Sequence, residues 1–239
     1  MDNMNTDFGT NVVMVFDVET TGLLPQRKNK NNLETIKKFP YILQLSFIVY
    51  DMNKQERVRT FNSYVDVDDD VEISPKITEI TGIVRETCKS RGIPIQDVLT
   101  EFYRAYQSCD VIIAHNIDFD KEMIMVEVIR NYSKMLDNGC ENPSILFNEI
   151  HNIVYSRRMY CTMLNGKDFC DIWVEGKFES RPEIKADGTT VVRKYKKNPK
   201  LSELYFKIFN EIPLGLHDAL VDTETCLKCY IYLISTTKN

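Results

Sequence analysis

Residues Val12–Leu23, VVMVFDVETTGL, run five apolar residues into two carboxylates spaced one residue apart, Asp17 and Glu19. A short apolar run that ends in a turn signal reads as a buried strand. Side chains at i and i+2 of a strand share a face, so the two carboxylates lie side by side. Two such charges repel, and one takes up a proton unless a cation sits between them. A hard divalent ion such as Mg²⁺ or Mn²⁺ is the natural partner, because it takes carboxylate oxygens and keeps several waters. An acidic strand end facing water is the alternative, and the rest of the chain has to separate the two.

The 239 residues, 43% hydrophobic and 27% charged, suit one globular domain over 1–239 with a sizeable core. The polar, acidic start MDNMNTDFGT is unlike a secretory signal. The most apolar run, YILQLSFIVY, has ten residues and is interrupted by Gln44 and Ser46, too short to cross a bilayer. Seven irregularly spaced cysteines read as reduced thiols. The expectation is therefore an intracellular protein, cytoplasmic or nuclear, with no membrane association. Cys226 and Cys229 form a C-x-x-C, but within an apolar helical stretch, and one pair supplies only half of a zinc shell.

The net charge of −5 is uneven: the window Lys177–Lys200 carries +5, leaving −10 elsewhere. Arg193, Lys194, Lys196 and Lys197 belong to that window, which is either a solvated charged excursion or a phosphate-contacting patch. A second basic, polar loop spans about 24–40, directly behind the acidic pair.

NVVMVFDV, YILQLSFIVYD and RVRTFNSYVDV read as a three-strand meander, with DMNKQE as the turn between the last two. Ser74, Pro75 and Gly82 mark a short capped helix. Val98, Leu99, Phe102 and Tyr106 recur at helical spacing before the strand DVIIAH, and a helix between strands implies a crossover to a parallel pairing. A helix starting near Asp118 or Phe119, a short strand near 158–163, an insert of loop or β character at about 164–199 and two terminal helices complete the chain. The fold class is α/β: an antiparallel meander followed by parallel strands in one mixed sheet, with helices on its faces. Ligand sites in such sheets gather at the ends of central strands.

A metal site needs further ligands. AHNIDFDKE places Asp120 just after a strand, at a helix start, and LHDALVDTE places His217 and Asp222 five residues apart at the start of the last helix. That gap is somewhat more than one helical turn, so both can face one cleft. Taken singly, Asp120 reads sooner as a helix cap and His217 as a polar surface residue; only their conjunction with Asp17 and Glu19 points to a site.

FDVETTGL, AHNIDFD and HDALVD, in this order, resemble the three motifs of the DnaQ-like family, in its DEDDh subgroup of 3′→5′ exonucleases. ILQLSFIVYD and ISPKITEITGI resemble the family's second strand and the segment before its first crossover, while the loop at 24–40 and the insert at 164–199 lie outside the likeness. The resemblance implies a ribonuclease H-like fold. It also implies that Asp17, Glu19, Asp120 and Asp222 hold two Mg²⁺ or Mn²⁺ ions, with Asp17 bridging, and that His217 is the general base. Thr20, Leu23, His115 and Asn116 would contact the substrate, a nucleic acid with a free 3′ end, and the products would be nucleoside 5′-monophosphates. A DNA polymerase or a replication or repair complex is the partner class that a proofreading type implies.

Single-stranded DNA is the favoured substrate by that likeness, and RNA trimming by the same fold is the rival. A non-catalytic nucleic-acid-binding module is a further alternative, although a pure binding surface gains nothing from concentrating negative charge where phosphate must sit. VDVDDDVE (65–72) lacks the glycine and distal glutamate of an EF-hand loop and reads as an acidic turn.

Overall fold

A computed structural model of the chain describes residues 12–25, 36–176 and 193–236. Strands β1 (Val12–Thr20), β2 (Ile42–Asp51) and β3 (Glu56–Tyr64) form the antiparallel meander, with residues 52–55 turning between the last two. β4 (Val111–Ala114) pairs parallel with β1, and β5 (Arg158–Cys161) pairs parallel with β4. The order β3-β2-β1-β4-β5 makes β1 the central strand, antiparallel to one neighbour and parallel to the other.

Helices α1 (Pro75–Thr81), α2 (Arg85–Arg91) and α3 (Ile95–Gln107) carry the chain from β3 to β4. Ser74 caps α1 and Gly82, at φ +71°, closes it, a left-handed turn that glycine adopts at little cost. α4 (Ile117–Asp137) leads from β4 to α5 (Glu149–Val154), and α6 (Thr162–Cys170) follows β5 directly. β6 (Trp173–Gly176) and β7 (Arg193–Lys196) make a separate hairpin, followed by α7 (Leu201–Phe209) and α8 (Ala219–Thr236).

The alternation of β1 sorts its side chains into two cores. Met14, Phe16 and Val18 pack with Val98, Leu99 and Phe102 of α3 and with Met123 and Ile124 of α4. Val13 and Val15 pack on the other face with Cys226, Leu227 and Tyr230 of α8. Asp17 and Glu19 continue the second series, so the strand's own period of two aims both acids toward α8.

α4 starts at Ile117, next to Asp118 and Phe119 as expected, where Asn116 in a left-handed conformation (φ +65°) turns the chain into it. Two expectations need correction. The stretch at 164–199 begins as helix: α6 buries Cys170 against Leu204, Tyr205, Cys229 and Leu233. The loop at 24–40 is not wholly polar, since Ile36 and Phe39 are buried with Val126 and Leu24 packs beside them. Arg130 holds that end of the loop by donating to the carbonyls of Ile36, Phe39 and Pro40 at 2.7, 2.7 and 2.8 Å. Residues 26–35 of the loop and 177–192 of the insert lie outside the described residues.

Asp66 and Asp69 of the acidic turn pair with Lys89 at 2.9 and 3.1 Å. All seven cysteines are buried free thiols. Among the described residues no helix is long and apolar enough to cross a membrane.

Candidate active site

β1 and β4 run parallel, so their C-terminal ends open at the same edge of the sheet, where the chain leaves to different sides. A cleft of about 590 Å³ lies there. β1 brings Asp17 and Glu19 to it, the turn after β4 brings His115 and Asn116, the first turn of α4 brings Asp120, and α8 with the residue two before it brings Asp222 and His217. The opposite wall is Asn198, Lys200 and Ser202, from the segment that leads into α7.

Each acid is held by backbone or crowded by its neighbours. The Val18 N–H donates to Asp120 Oδ1 at 3.2 Å, tying α4 to β1. The His217 N–H donates to Asp222 Oδ2 at 3.1 Å, while Asp222 Oδ1 is buried without a hydrogen-bond partner. His217 stands at the entrance of α8, as its spacing suggested. It precedes the helix at φ +70°, with its side chain exposed. One ligand atom each of Glu19, His217 and Asp222 lies within 4.8 Å of the others.

Desolvation raises all four carboxyl groups. Asp17 stands well above its ordinary range, from burial and then from the charges of Asp120, Asp222, Glu19 and Asp218. Glu19 is pushed up to about 8 by burial, Asp222, Asp120 and Asp218. Asp120 is also raised by burial, against the lowering effect of the Val18 N–H. Asp222 is pushed up to about 6 by burial, with the His217 N–H opposing. Four acids whose burial and crowding disfavour their charge, with one buried oxygen unsatisfied, fit a hard divalent cation. Such an ion supplies the missing charge and the missing partner together.

His115 has both ring nitrogens engaged: Nδ1 meets Thr162 Oγ1 at 3.0 Å and Nε2 meets the Pro199 carbonyl at 3.1 Å. A carbonyl only accepts, so Nε2 carries the proton and Nδ1 accepts from the threonine hydroxyl. Burial drives the His115 pKa down to about 4, so the ring is neutral. It joins the end of β4 to the opposite wall of the cleft. Asn116 is exposed and lines the cleft. Thr20 and Leu23 are not among the residues lining it: the buried Thr20 donates from Oγ1 to the Gly22 carbonyl at 2.7 Å, and Leu23, 85% exposed, borders a second depression with Lys38 and Tyr41.

Two residues beside the site, both inside quoted stretches of sequence, had no role assigned from the sequence. Asp218 Oδ1 accepts from the N–H groups of Leu220 and Val221 at 3.0 and 3.3 Å and so caps the first turn of α8. Gln44 of β2 donates to Asp218 Oδ2 at 3.2 Å. A glutamine inside an otherwise apolar strand was the available signal for the second.

The profile of the RNase_T family, described as Exonuclease, matches residues 14–171. That span includes Asp17, Glu19, His115, Asn116 and Asp120, stops short of His217 and Asp222, and takes in α6, which the sequence had placed in the insert. No curated protein matches the chain in sequence. Among solved structures it is similar to E. coli Exonuclease I in complex with a dT13 oligonucleotide (TM-score 0.60, 16% identity, covering 95% of this chain and 41% of that one). It is also similar to a moderately thermophilic Exonuclease I from Methylocaldum szegediense (0.59, 18%, 95% and 40%). A third is the zinc-ion-bound form of the E. coli ExoI–ssDNA complex (0.61, 15%, 96% and 41%). The likeness establishes the fold, and the chain spans about two fifths of the length of these structures.

Proposed function

The chain belongs to the RNase_T exonuclease family, and on that premise we propose that it is a divalent-metal-dependent 3′→5′ exonuclease of the DEDDh type acting on single-stranded DNA. The observation that carries this reading is the convergence of Asp17, Glu19, Asp120 and Asp222 on one cleft with an imidazole beside them. The solved relatives include complexes of Exonuclease I with dT13 and dA16 oligonucleotides, which favours DNA over RNA here.

In this reading Asp17, Glu19, Asp120 and Asp222 would hold two Mg²⁺ or Mn²⁺ ions, which would supply positive charge to an in-line displacement at phosphorus. His217, exposed at the cleft, takes a proton from the attacking water. The water oxygen bonds to phosphorus, the bond from phosphorus to the 3′ oxygen breaks, and a nucleoside 5′-monophosphate leaves a strand with a new 3′-hydroxyl. Asn116, exposed on the cleft, is the candidate contact for a terminal nucleotide. Leu23, projecting from the turn after β1, offers an apolar surface to a base. Of the insert's cations, Lys196 is paired with Asp168 and Asp171, and Lys197 with Glu203. Among those whose side chains are described, Lys194 is therefore the stronger candidate for a phosphate contact.

Matched single-stranded DNA and RNA oligonucleotides, labelled at either end and incubated with magnesium, manganese or chelator, test the proposal, with Asp222→Ala as control. A ladder shortening from the 3′ end of DNA, dependent on metal and abolished by the substitution, is the expected result. Intact oligonucleotides with chelator-resistant binding would make the chain a binding module instead.

A further inference from the structure

Gln44 is 1% exposed and uses every hydrogen-bonding group of its amide. Nε2 donates to Asn62 Oδ1 at 3.0 Å and to Asp218 Oδ2 at 3.2 Å, and Oε1 accepts from the Ala219 N–H at 3.3 Å. The orientation of the amide follows from its partners: reversed, it would set a donor against the Ala219 N–H and an oxygen against a carboxylate. In the β1–β2 ladder Gln44 stands directly opposite Glu19, so both side chains leave the sheet on the face that α8 covers.

The first turn of α8 needs such an attachment. It carries Asp222 toward Asp17 and Glu19, and those like charges repel until a cation arrives. Another polar tie to β2, from Thr223 Oγ1 to the Ser46 carbonyl, is 3.5 Å long and correspondingly weak. The same contact to Gln44, with the two α8 amides on its other oxygen, occupies Asp218, a fifth acid close enough to raise Asp17, Glu19 and Asp222.

We propose that Gln44 is a positioning residue: by clamping Asp218 and the Ala219 N–H it fixes the first turn of α8 against β1, setting Asp222 opposite Glu19 and reserving Asp218 as a cap, and thereby determines the affinity of the site for its divalent cation. The inference rests on the reading that these acids hold a cation. It goes beyond that reading by locating what aligns the first and last acidic motifs.

The test is Mn²⁺ binding to the full chain, followed by electron paramagnetic resonance titration without nucleic acid. Gln44→Met removes both clamp bonds and should weaken Mn²⁺ binding by about 10- to 100-fold, the usual cost of losing a residue that orients metal ligands. Two further single variants separate alignment from general damage. Gln44→Glu sets a carboxylate against Asp218, and Asp218→Asn sets an amide NH₂ against that of Gln44. Each should weaken binding. Combined, they restore a donor facing an acceptor with the roles exchanged, and the oxygen introduced at position 218 still caps the helix. The double variant should then bind Mn²⁺ within about threefold of wild type, the non-additivity expected of contacting groups. Wild-type Mn²⁺ affinity in the three single variants, or a double variant no better than the weaker single, would overturn the proposal. Wild-type protein that binds Mn²⁺ but leaves every oligonucleotide intact would refute the exonuclease reading while the clamp stood.

Discussion

The backbone N–H of His217 donates to Asp222 Oδ2 at 3.1 Å while the imidazole of the same residue stays exposed at the cleft. One residue thus serves two functions through separate atoms: its main chain orients an acid and its ring remains available for proton transfer. His217→Ala removes only the ring. It should lower kcat by about 10²- to 10⁴-fold, the range for a lost general base, and leave Mn²⁺ affinity unchanged. If affinity fell along with kcat, the ring would be a metal ligand, as its closeness to Glu19 and Asp222 also allows.

The crowded acids give the metal-free protein an inverted pH response. Glu19, at about 8 when folded and 4.5 ordinarily, keeps a proton that the unfolded chain has released. Asp222, pushed up to about 6, adds the same sign over a lower window. Where the folded state binds more protons than the unfolded state, stability falls as pH rises. In chelator, Tm should therefore decline from pH 6 to pH 8. The stabilisation gained from added Mn²⁺ should grow over the same interval, since the cation favours the ionised acids. A metal-free Tm that is flat or rising there would show that Glu19 is already ionised.

His115 acts with the opposite sign. Its pKa is lowered to about 4, so between there and its ordinary 6.5 the unfolded chain binds a proton that the folded protein does not. Stability from this residue is present above 6.5 and is lost as pH falls toward 4. His115→Gln keeps a side-chain amide near the Pro199 carbonyl and abolishes the titration. The acid limb of the Tm profile should become shallower; an unchanged limb would mean that the ring is protonated in the folded state.

Much of this site was legible in the sequence because strand geometry is local. The period of two in VVMVFDVET fixes which residues face α8, and the same alternation that buries Val13 and Val15 presents Asp17 and Glu19. The Ser74, Pro75 and Gly82 punctuation likewise predicts α1 from neighbouring residues alone. What escaped depends on distant partners. Gln44 reads as a mere interruption until α8 arrives from 174 residues away, and the hydrogen bond of His115 to the Pro199 carbonyl joins residues 84 apart. The left-handed φ with which His217 enters α8 leaves no mark in a histidine's local sequence.

The aromatic cluster beneath β1 should dominate stability. The ring of Phe102 lies 5.1 Å from that of Phe16 and 6.0 Å from that of Phe147, fully buried. Phe102→Ala leaves a cavity that its neighbours fill only in part, at a cost of about 3–5 kcal/mol. Urea unfolding measures the loss, and a loss below about 1 kcal/mol would mean that α3 collapses onto the sheet without strain.

The ion pairs at the base of the β6–β7 hairpin divide its cations into two groups. Lys196 and Lys197 already face carboxylates, so a phosphate would have to displace Asp168, Asp171 or Glu203 to reach them. Lys194 is exposed. Each phosphate contact to a single strand releases counterions and contributes about 0.7 to the slope of log affinity against log salt. Lys194→Ala should therefore flatten that slope by about 0.7 in anisotropy titrations of a single-stranded oligonucleotide, with Lys196→Ala and Lys197→Ala changing it less. Equal effects at all three positions would mean that the strand breaks the ion pairs on binding, and no effect at any of them would leave the hairpin outside the path of the nucleic acid.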